Sequence, residues 1–335
     1  MFSATTTSRW SIARAARIAL AAGALVCALA CSGDGRNSAH DSGHGFETIS
    51  IVDDAGFTVT LPRPARRVIS LIPSALETLI AIGATKQVVG RTRYDRAPEA
   101  AAIPSVGGGL DPSIEAMVDL HPDLVISWES DKRQEVRQKL LALGIPVFIL
   151  RTQDTTDIFH GIASIGRLTG HDSAASAVAG SVRATLDSVR RDVAGRSVPT
   201  VFYVVDNDPP MTAGRHTFLA ELISLAGARS IFDDLKQIWP NVAMEEIVRR
   251  DPDMLVIPVG EFKGNSLERF RGLAGWRDLR AVRTGRVVTV PADLVSRPSP
   301  SIAQTARVFE RVFHPEIAGA DSSTSLTRAP QGVLP

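Results

Sequence analysis

Ser113-Ile114-Glu115-Ala116-Met117-Val118-Asp119-Leu120-His121-Pro122-Asp123-Leu124-Val125-Ile126 returns 130 residues later as Ala243-Met244-Glu245-Glu246-Ile247-Val248-Arg249-Arg250-Asp251-Pro252-Asp253-Met254-Leu255-Val256. Each copy reads as a short helix, a Pro-Asp turn and an apolar strand. An acid stands at the same place in both, Glu115 and Glu245. A unit that occurs once in each half implies two related lobes. Upstream in each half, Leu79 to Ala84 answers Leu222 to Ala228 as an apolar helix closed by glycine.

Working outward, strand and helix alternate, which predicts an α/β fold of two similar, mainly parallel sheets with ligands at the carboxyl ends of the strands. In the first half, residues 49–52 and 58–61 read as a hairpin around Asp53-Asp54-Ala55-Gly56. Strands follow at 67–71, 88–91, 124–127 and 147–150, and helices at 112–120, 131–143 and 155–169. Ser74 with Glu77 reads as a capping box that opens a helix running to Gly83. The second half has strands at 200–205, 253–258 and 287–290, with helices at 217–226, 241–250, 266–273 and 301–313. Between the halves, residues 173–194 contain one glycine and no proline. At 1.5 Å per residue this predicts a rigid helix of about 33 Å that joins lobe to lobe.

Arg9, Arg14 and Arg17 precede an apolar run at 18–30 that is too short to span a bilayer and suits a secretory signal. Cleavage after residue 30 leaves Cys31-Ser32-Gly33 at the mature start, which resembles a bacterial lipoprotein with Cys31 as the lipidated residue; an ordinary cleaved signal is the alternative. Cys27 falls inside the signal, so the mature chain keeps one cysteine and forms no internal disulfide. The expected organisation is therefore signal 1–30, flexible tether 31–45, first lobe 46–170, joining helix 171–196, second lobe 197–315 and disordered tail 316–335. Without the three signal arginines, 34 Lys and Arg stand against 36 Asp and Glu. That balance gives nucleic acid no basic field. The expected location is the periplasm, with membrane contact only through the lipid.

Aromatic residues are few, yet Tyr94, Trp128 and Trp239 all stand in loops at expected strand ends or helix starts. Such a placement suits a flat, apolar ligand held between the lobes; plugging the core beneath each loop is the other use for a loop tryptophan. Trp276 stands away from this mouth. No GxSxG, HExxH, Walker or dinucleotide motif is present, and Gly107-Gly108-Gly109 lacks the spacing and following helix of a phosphate cradle. His121, His160, His171, His216 and His314 are scattered, and His40 and His44 lie in the tether. The sequence implies no metal site, resident cofactor or enzymatic activity.

Residues 67–74 with Glu77, Val89-Gly90-Arg91-Thr92 with Tyr94, and Pro122-Asp123-Leu124-Val125-Ile126 resemble the iron-chelate and vitamin B12 periplasmic binding proteins of ABC importers. The resemblance covers about residues 47 to 314. Asp208-Pro209-Pro210-Met211, Trp239-Pro240-Asn241-Val242, and Asp293 followed by Arg297-Pro298-Ser299-Pro300 are similar to its vitamin B12-binding members. The resemblance implies a monomeric carrier with a corrinoid flat in the cleft against Tyr94, Trp128 and Trp239, with Asp293 and Arg297 near the rim. Pro73, Ser74 and Met211 complete the expected ligand-binding set. Gly109 and Val205 replace two rings of those members, which leaves a ferric siderophore or haem as alternatives.

The same resemblance gives Glu115 and Glu245 a role as docking acids for the two permease subunits. Their local role is favourable placement near a positive helix end, behind N-caps expected at Asp111 and Asn241. A tethered scavenger or sensor, and an enzyme acting on a metal chelate, are the rival uses of such a fold.

Overall fold

β1 (Ile49–Val52) and β2 (Thr58–Leu61) pair antiparallel, from Ile49 opposite Leu61 to Val52 opposite Thr58. Asp53 fixes the turn. Its carboxylate accepts from the Ala55 and Phe57 amides, and also from the Ile149 amide of the adjoining sheet. The computed structural model describes residues 48–128, 131–260 and 266–318. The signal, Cys31 and the expected tether lie outside the described residues, as do His40, His44 and residues 319–335.

The first sheet contains β3 (Val68–Ser70), β4 (Val88–Gly90), β5 (Leu124–Ser127) and β6 (Val147–Ile149) in the order β4-β3-β5-β6, all parallel. Every residue of β3, β5 and β6 is buried, as expected of strands covered on both faces. Around them lie α1 (Pro73–Ala81), α2 (Ile114–Asp119), α3 (Asp131–Ala142) and α4 (Thr155–Thr169).

α5 (Asp172–Asp192) follows α4 after Gly170, whose φ of 73° closes the helix in the left-handed region that glycine adopts without strain. The buried stripe of α5 is Ala175, Ala179, Val182, Leu186 and Val189, a spacing of three and four that presents one helix face. α5 packs on α4 and, in the second half, on α6 (Phe218–Leu225) and α11 (Ile302–Phe313), which lie beyond it in the chain. One hydrophobic cluster consequently runs from Leu76 and Ile165 through Leu186 to Leu222 and Phe309.

The second sheet is built from β7 (Thr200–Tyr203), β10 (Arg229–Ser230), β11 (Met254–Val259) and β12 (Val287–Pro291) in the order β10-β7-β11-β12, again parallel. β8 (Asp206–Asn207) and β9 (Pro210–Met211) form a small separate hairpin. The remaining helices are α7 (Met244–Arg250), α8 (Ser266–Gly272), α9 (Arg280–Arg283), α10 (Ala292–Val295) and α12 (Pro315–Ala318). α12 occupies the first residues of the expected tail.

In strand order the two four-stranded sheets are copies: the second strand of each sheet in chain order is at the edge, followed by the first, third and fourth. The Pro-Asp turns are copies too. His121 and Asp251, which precede the prolines, have φ of 45° and 37°, a region that L residues seldom enter. Asp123 accepts from the Arg66 and Arg67 amides, and Asp253 from the Thr200 amide and hydroxyl. Each turn thus clamps the chain at the start of the first strand of its four-stranded sheet, β3 or β7. The protein is two similar parallel-sheet lobes joined by one long helix.

Three expected caps differ. α2 is capped by Ser113, whose hydroxyl accepts from the Ala116 amide, while Asp111 pairs with Arg93 at 2.7 Å. α7 follows Ala243, which has no capping side chain, and Asn241 pairs instead with Met211 as an isolated bridge. Ser74 lies inside α1 after Pro73, so the capping box with Glu77 does not form.

Candidate functional site

A cavity of about 810 Å³ opens between the lobes, within the range of about 300–1,000 Å³ usual for small-molecule sites. The carboxyl ends of the parallel strands supply its first wall: Ile72, Pro73 and Ser74 after β3, Tyr94 and Arg96 after β4, Trp128 after β5, and residues 150–153 after β6. The second lobe contributes Phe218 at the start of α6, Ile238 and Trp239, and Asp293, Ser296, Arg297 and Pro298 after β12. Strands end here because their carboxyl ends face the same side of the sheet, which converts sequence positions far apart into one surface.

Seven of the eight sequence-predicted ligand residues line this cavity: Pro73, Ser74, Tyr94, Trp128, Trp239, Asp293 and Arg297. Met211 does not. It lies in β9, where its carbonyl accepts from the Val205 amide. Gly109 and Val205, the positions of the missing rings, are also outside the lining. Trp276 is 3% exposed and packs its ring against Phe270 at 4.8 Å, deep in the second lobe.

Tyr94 is 55% exposed and Trp239 45% exposed, a large cost in uncovered apolar surface for side chains that cores accept readily. Tyr94 is held from below. Thr92 donates its amide and hydroxyl to Asp95, and the Thr92 hydroxyl accepts from the Tyr94 amide. Burial pushes the Asp95 carboxyl above its ordinary range, against the opposing Thr92 hydrogen bonds.

Charges in the cavity are matched in pairs. Arg297 is only 13% exposed at its side chain and donates to Glu77 at 2.7 Å and to Asp293 at 3.0 Å. Burial works against its charge, but Glu77 and Asp293 outweigh that and raise its pKa. Arg96 lies 3.7 Å from the other Asp293 oxygen, Arg151 binds Asp157 at 2.9 Å, and Asp54 faces His160 at 3.0 Å. Arg96, Arg151, Asp54 and Phe218 were missed in the sequence. The positions of Arg96 and Arg151 just past β4 and β6 were the available signal, equivalent to that of Trp128 past β5.

A second cavity, about 1000 Å³, lies between α5 and α6. Arg183, Arg190, Arg215 and Arg229 line it together with Asp187, Glu221 and Asp233. Phe159 is its one aromatic ring, and Arg183 covers that ring at 4.3 Å. The smaller cavity, by contrast, is lined by the exposed rings of Tyr94 and Trp239. Among the described residues no cluster of three His, Cys, Asp or Glu is placed to hold a metal.

Glu115 and Glu245 are exposed in the first turns of α2 and α7. The burial pattern of residues 111–117 repeats at 241–247, so both acids present in the same way. Glu246 is spent differently: Arg249 and Arg250 hold its pKa down to about 2.

With this geometry in view, sequence matching places residues 68–294 in the periplasmic binding proteins. The chain belongs to that family. Its members are substrate-binding proteins of transporters. A cobalamin-binding protein of Halobacterium salinarum is 31% identical over 78% of this chain and 73% of its own length. An uncharacterized ABC transporter substrate-binding lipoprotein of Bacillus subtilis is 26% identical over 80% of this chain and 86% of its own. Among solved structures, a possible iron-binding periplasmic solute-binding protein from Staphylococcus epidermidis is 27% identical, with a TM-score of 0.67 over 75% of this chain and 99% of that one.

Proposed function

We propose that this protein is the substrate-binding lipoprotein of an ABC importer and that it carries a corrinoid in the interlobe cavity to a permease. The carrying observation is the combination of three rings, Tyr94, Trp128 and Trp239, with cavity charges already matched in pairs. Rings offer area to a flat macrocycle. Paired charges suit side groups that are mostly uncharged carboxamides, whereas a polyanionic chelate would need cations without carboxylate partners. The similarity to a cobalamin-binding protein points the same way.

In this reading Pro73, Ser74, Asp293 and Arg297 frame the ligand, and Met211 acts only through the loop it anchors. The cargo is transported, not a resident cofactor, and the protein acts as a monomeric carrier rather than an enzyme. Cleavage of residues 1–30 leaves Cys31 for lipidation, residues 31–45 tether the lobes to the membrane, and the mature protein works in the periplasm. The lobes divide at residues 170 and 197, around α5. Glu115 and Glu245 dock the two permease subunits. The same cleft carrying a ferric siderophore or haem is the second reading, favoured by the similarity to a possible iron-binding protein.

The test is titration with cyanocobalamin, haemin and a ferric hydroxamate in turn, read by tryptophan fluorescence and ligand absorption. Cyanocobalamin should bind and quench. Trp128→Ala and Trp239→Ala should each weaken binding by about 1–3 kcal/mol, the scale of burying a large ring against an apolar partner. Binding of haemin or the hydroxamate without cyanocobalamin reassigns the cargo.

A further inference from the structure

The glycine-closed helices α1 and α6 set a register between the lobes that pairs two more acids. In α1 the Ile82, Gly83 and Ala84 amides donate to the carbonyls of Thr78, Ile80 and Leu79. In α6 the Ala226, Gly227 and Ala228 amides donate to those of Leu222, Ser224 and Ile223, each partner 144 residues further on. Gly83 and Gly227 have φ of 81° and 80°. In this register Glu77 coincides with Glu221.

Both glutamates leave their own lobe. Glu77, on α1, accepts from the Arg297 guanidinium at 2.7 Å and from the Ser299 hydroxyl at 2.6 Å, both in the second lobe. Glu221, on α6, accepts from the Thr155 amide at 2.9 Å and hydroxyl at 2.6 Å, at the first residue of α4 in the first lobe. Nearby, the Phe218 amide donates to the Gln153 carbonyl at 2.8 Å, and the Gln153 side chain to the His216 carbonyl at 3.2 Å. Equivalent helices therefore exchange one carboxylate each way across the gap.

The two contacts bracket the ligand cavity. Arg297 lines it on one side, and the Arg297 guanidinium also reaches the Tyr94 carbonyl at 3.4 Å, tying the loop of an exposed ring to this contact. Gln153 and Phe218 line it on another side, and the adjoining Thr155 and Glu221 line the larger cavity beyond. The Glu221 contact is thus part of the partition between the two cavities. A carboxylate hydrogen bond away from bulk water is stronger than a neutral one, and losing one partner leaves the other's donors unsatisfied.

We propose that Glu77 and Glu221 are a reciprocal pair of positioning residues, two interlobe clasps that together fix the aperture of the cleft. α5 joins the lobes through one element, so rotation about it is opposed by whatever crosses the gap elsewhere; each clasp resists an opening that the other alone would permit. The bearing of this aperture on ligand binding rests on the cleft reading above, but the clasps themselves do not.

Hydrogen exchange on the protein without ligand separates the two. In the wild type the Thr155, Phe218 and Ser301 amides are each hydrogen-bonded at a clasp, the last to the Ser299 hydroxyl. Glu77→Ala should speed exchange at residues 299–302 and also, across the molecule, at 153–158 and 216–220. Glu221→Ala should do the converse, each by about tenfold or more, the scale of one lost hydrogen bond to a carboxylate. Glu77→Gln and Glu221→Gln keep an acceptor and should restore most of the protection, with an unchanged unfolding temperature. Faster exchange confined to the mutated clasp, or none at either, overturns the pairing. If the alanine variants unfold globally, Thr155→Val, which removes one hydroxyl donor to Glu221, is read instead: faster exchange at 299–302 supports the pairing, and exchange there equal to the wild type has the same overturning force. Failure of cyanocobalamin to bind would leave these outcomes untouched.

Discussion

Behind its sheet the first lobe packs Ile69, Leu71, Val125, Leu140 and Val147, whereas the second packs Phe202, Phe232, Phe270 and Trp276 in the equivalent layer. Rings in the second lobe meet at 5.8 Å for Phe202 with Phe232 and 5.7 Å for Phe202 with Trp276. The strand order is nonetheless the same. Two different packings of one plan show that topology follows from where apolar strands, turns and glycine closures fall. Which apolar side chains fill the layer is a separate choice, constrained by volume. At α2 and α7 the acids Glu115 and Glu245 match but their neighbours do not: Ala116, Asp119 and Leu120 of the first lobe correspond to Glu246, Arg249 and Arg250 of the second.

The strongest challenge to the equivalence of the lobes is at Glu115 and Glu245. Reversing both charges, Glu115→Lys with Glu245→Lys, should abolish ligand uptake by cells while leaving ligand affinity within twofold. Each single change should impair uptake partially and to a similar degree, because rim charges govern encounter and orientation. Unequal single variants would break the symmetry, and normal uptake by the double variant would return both acids to a local role at helix starts.

The contrast in cores gives the next effect. Trp276→Ala should lower stability to denaturant by about 3–5 kcal/mol, and Ile69→Val in the first lobe by about 0.5–1.5 kcal/mol. Neither should alter ligand affinity in protein that remains folded. A ligand effect from Trp276→Ala at full folding would mean that its cluster reaches the cleft.

The smallest effect concerns pH. Glu246 is held down to about 2 by Arg249 and Arg250, and Arg250 also keeps the Asp234 carboxyl below its ordinary range. A lowered folded-state pKa stabilises above the unfolded value, near 4.5 for Glu246, and that contribution is lost as pH falls through about 2. Thermal unfolding of wild type and Glu246→Gln should differ by a small, constant amount from pH 7 to 5, and converge between pH 4.5 and 2. The Ala116 side of the comparison has no such carboxylate, so convergence locates the effect in the second lobe.

Much of the fold was legible because its signals are local. The hairpin at 49–52 and 58–61 and the helix at 155–169 have the bounds that alternation, turn residues and helical period indicate. Caps were less so. Asp111 and Asn241 are good capping residues by type, but Arg93 and the β9 strand engage them, and Ser113 lies closer to the helix start. Ser74 and Glu77 have capping-box spacing, yet Pro73 begins the helix one residue earlier and Glu77 finds a guanidinium 220 residues away. For the site, aromatic type and position past a strand identified Tyr94 and Trp128. The arginines and acids offered no such contrast, since 73 of the chain's residues are Asp, Glu, Lys or Arg.

By itself the sequence determined the two-lobe plan, the joining helix and the acids that mark equivalent faces, since repeat, period and turn chemistry act within a few residues of the chain. Only the tertiary structure decided which charges are spent on partners and which side of each lobe meets the other. Arg297 binds Glu77, and Thr155 binds Glu221, through contacts between groups 220 and 66 residues apart. Such pairings depend on how the sheets orient their carboxyl ends around α5, and no periodicity along the chain encodes that geometry.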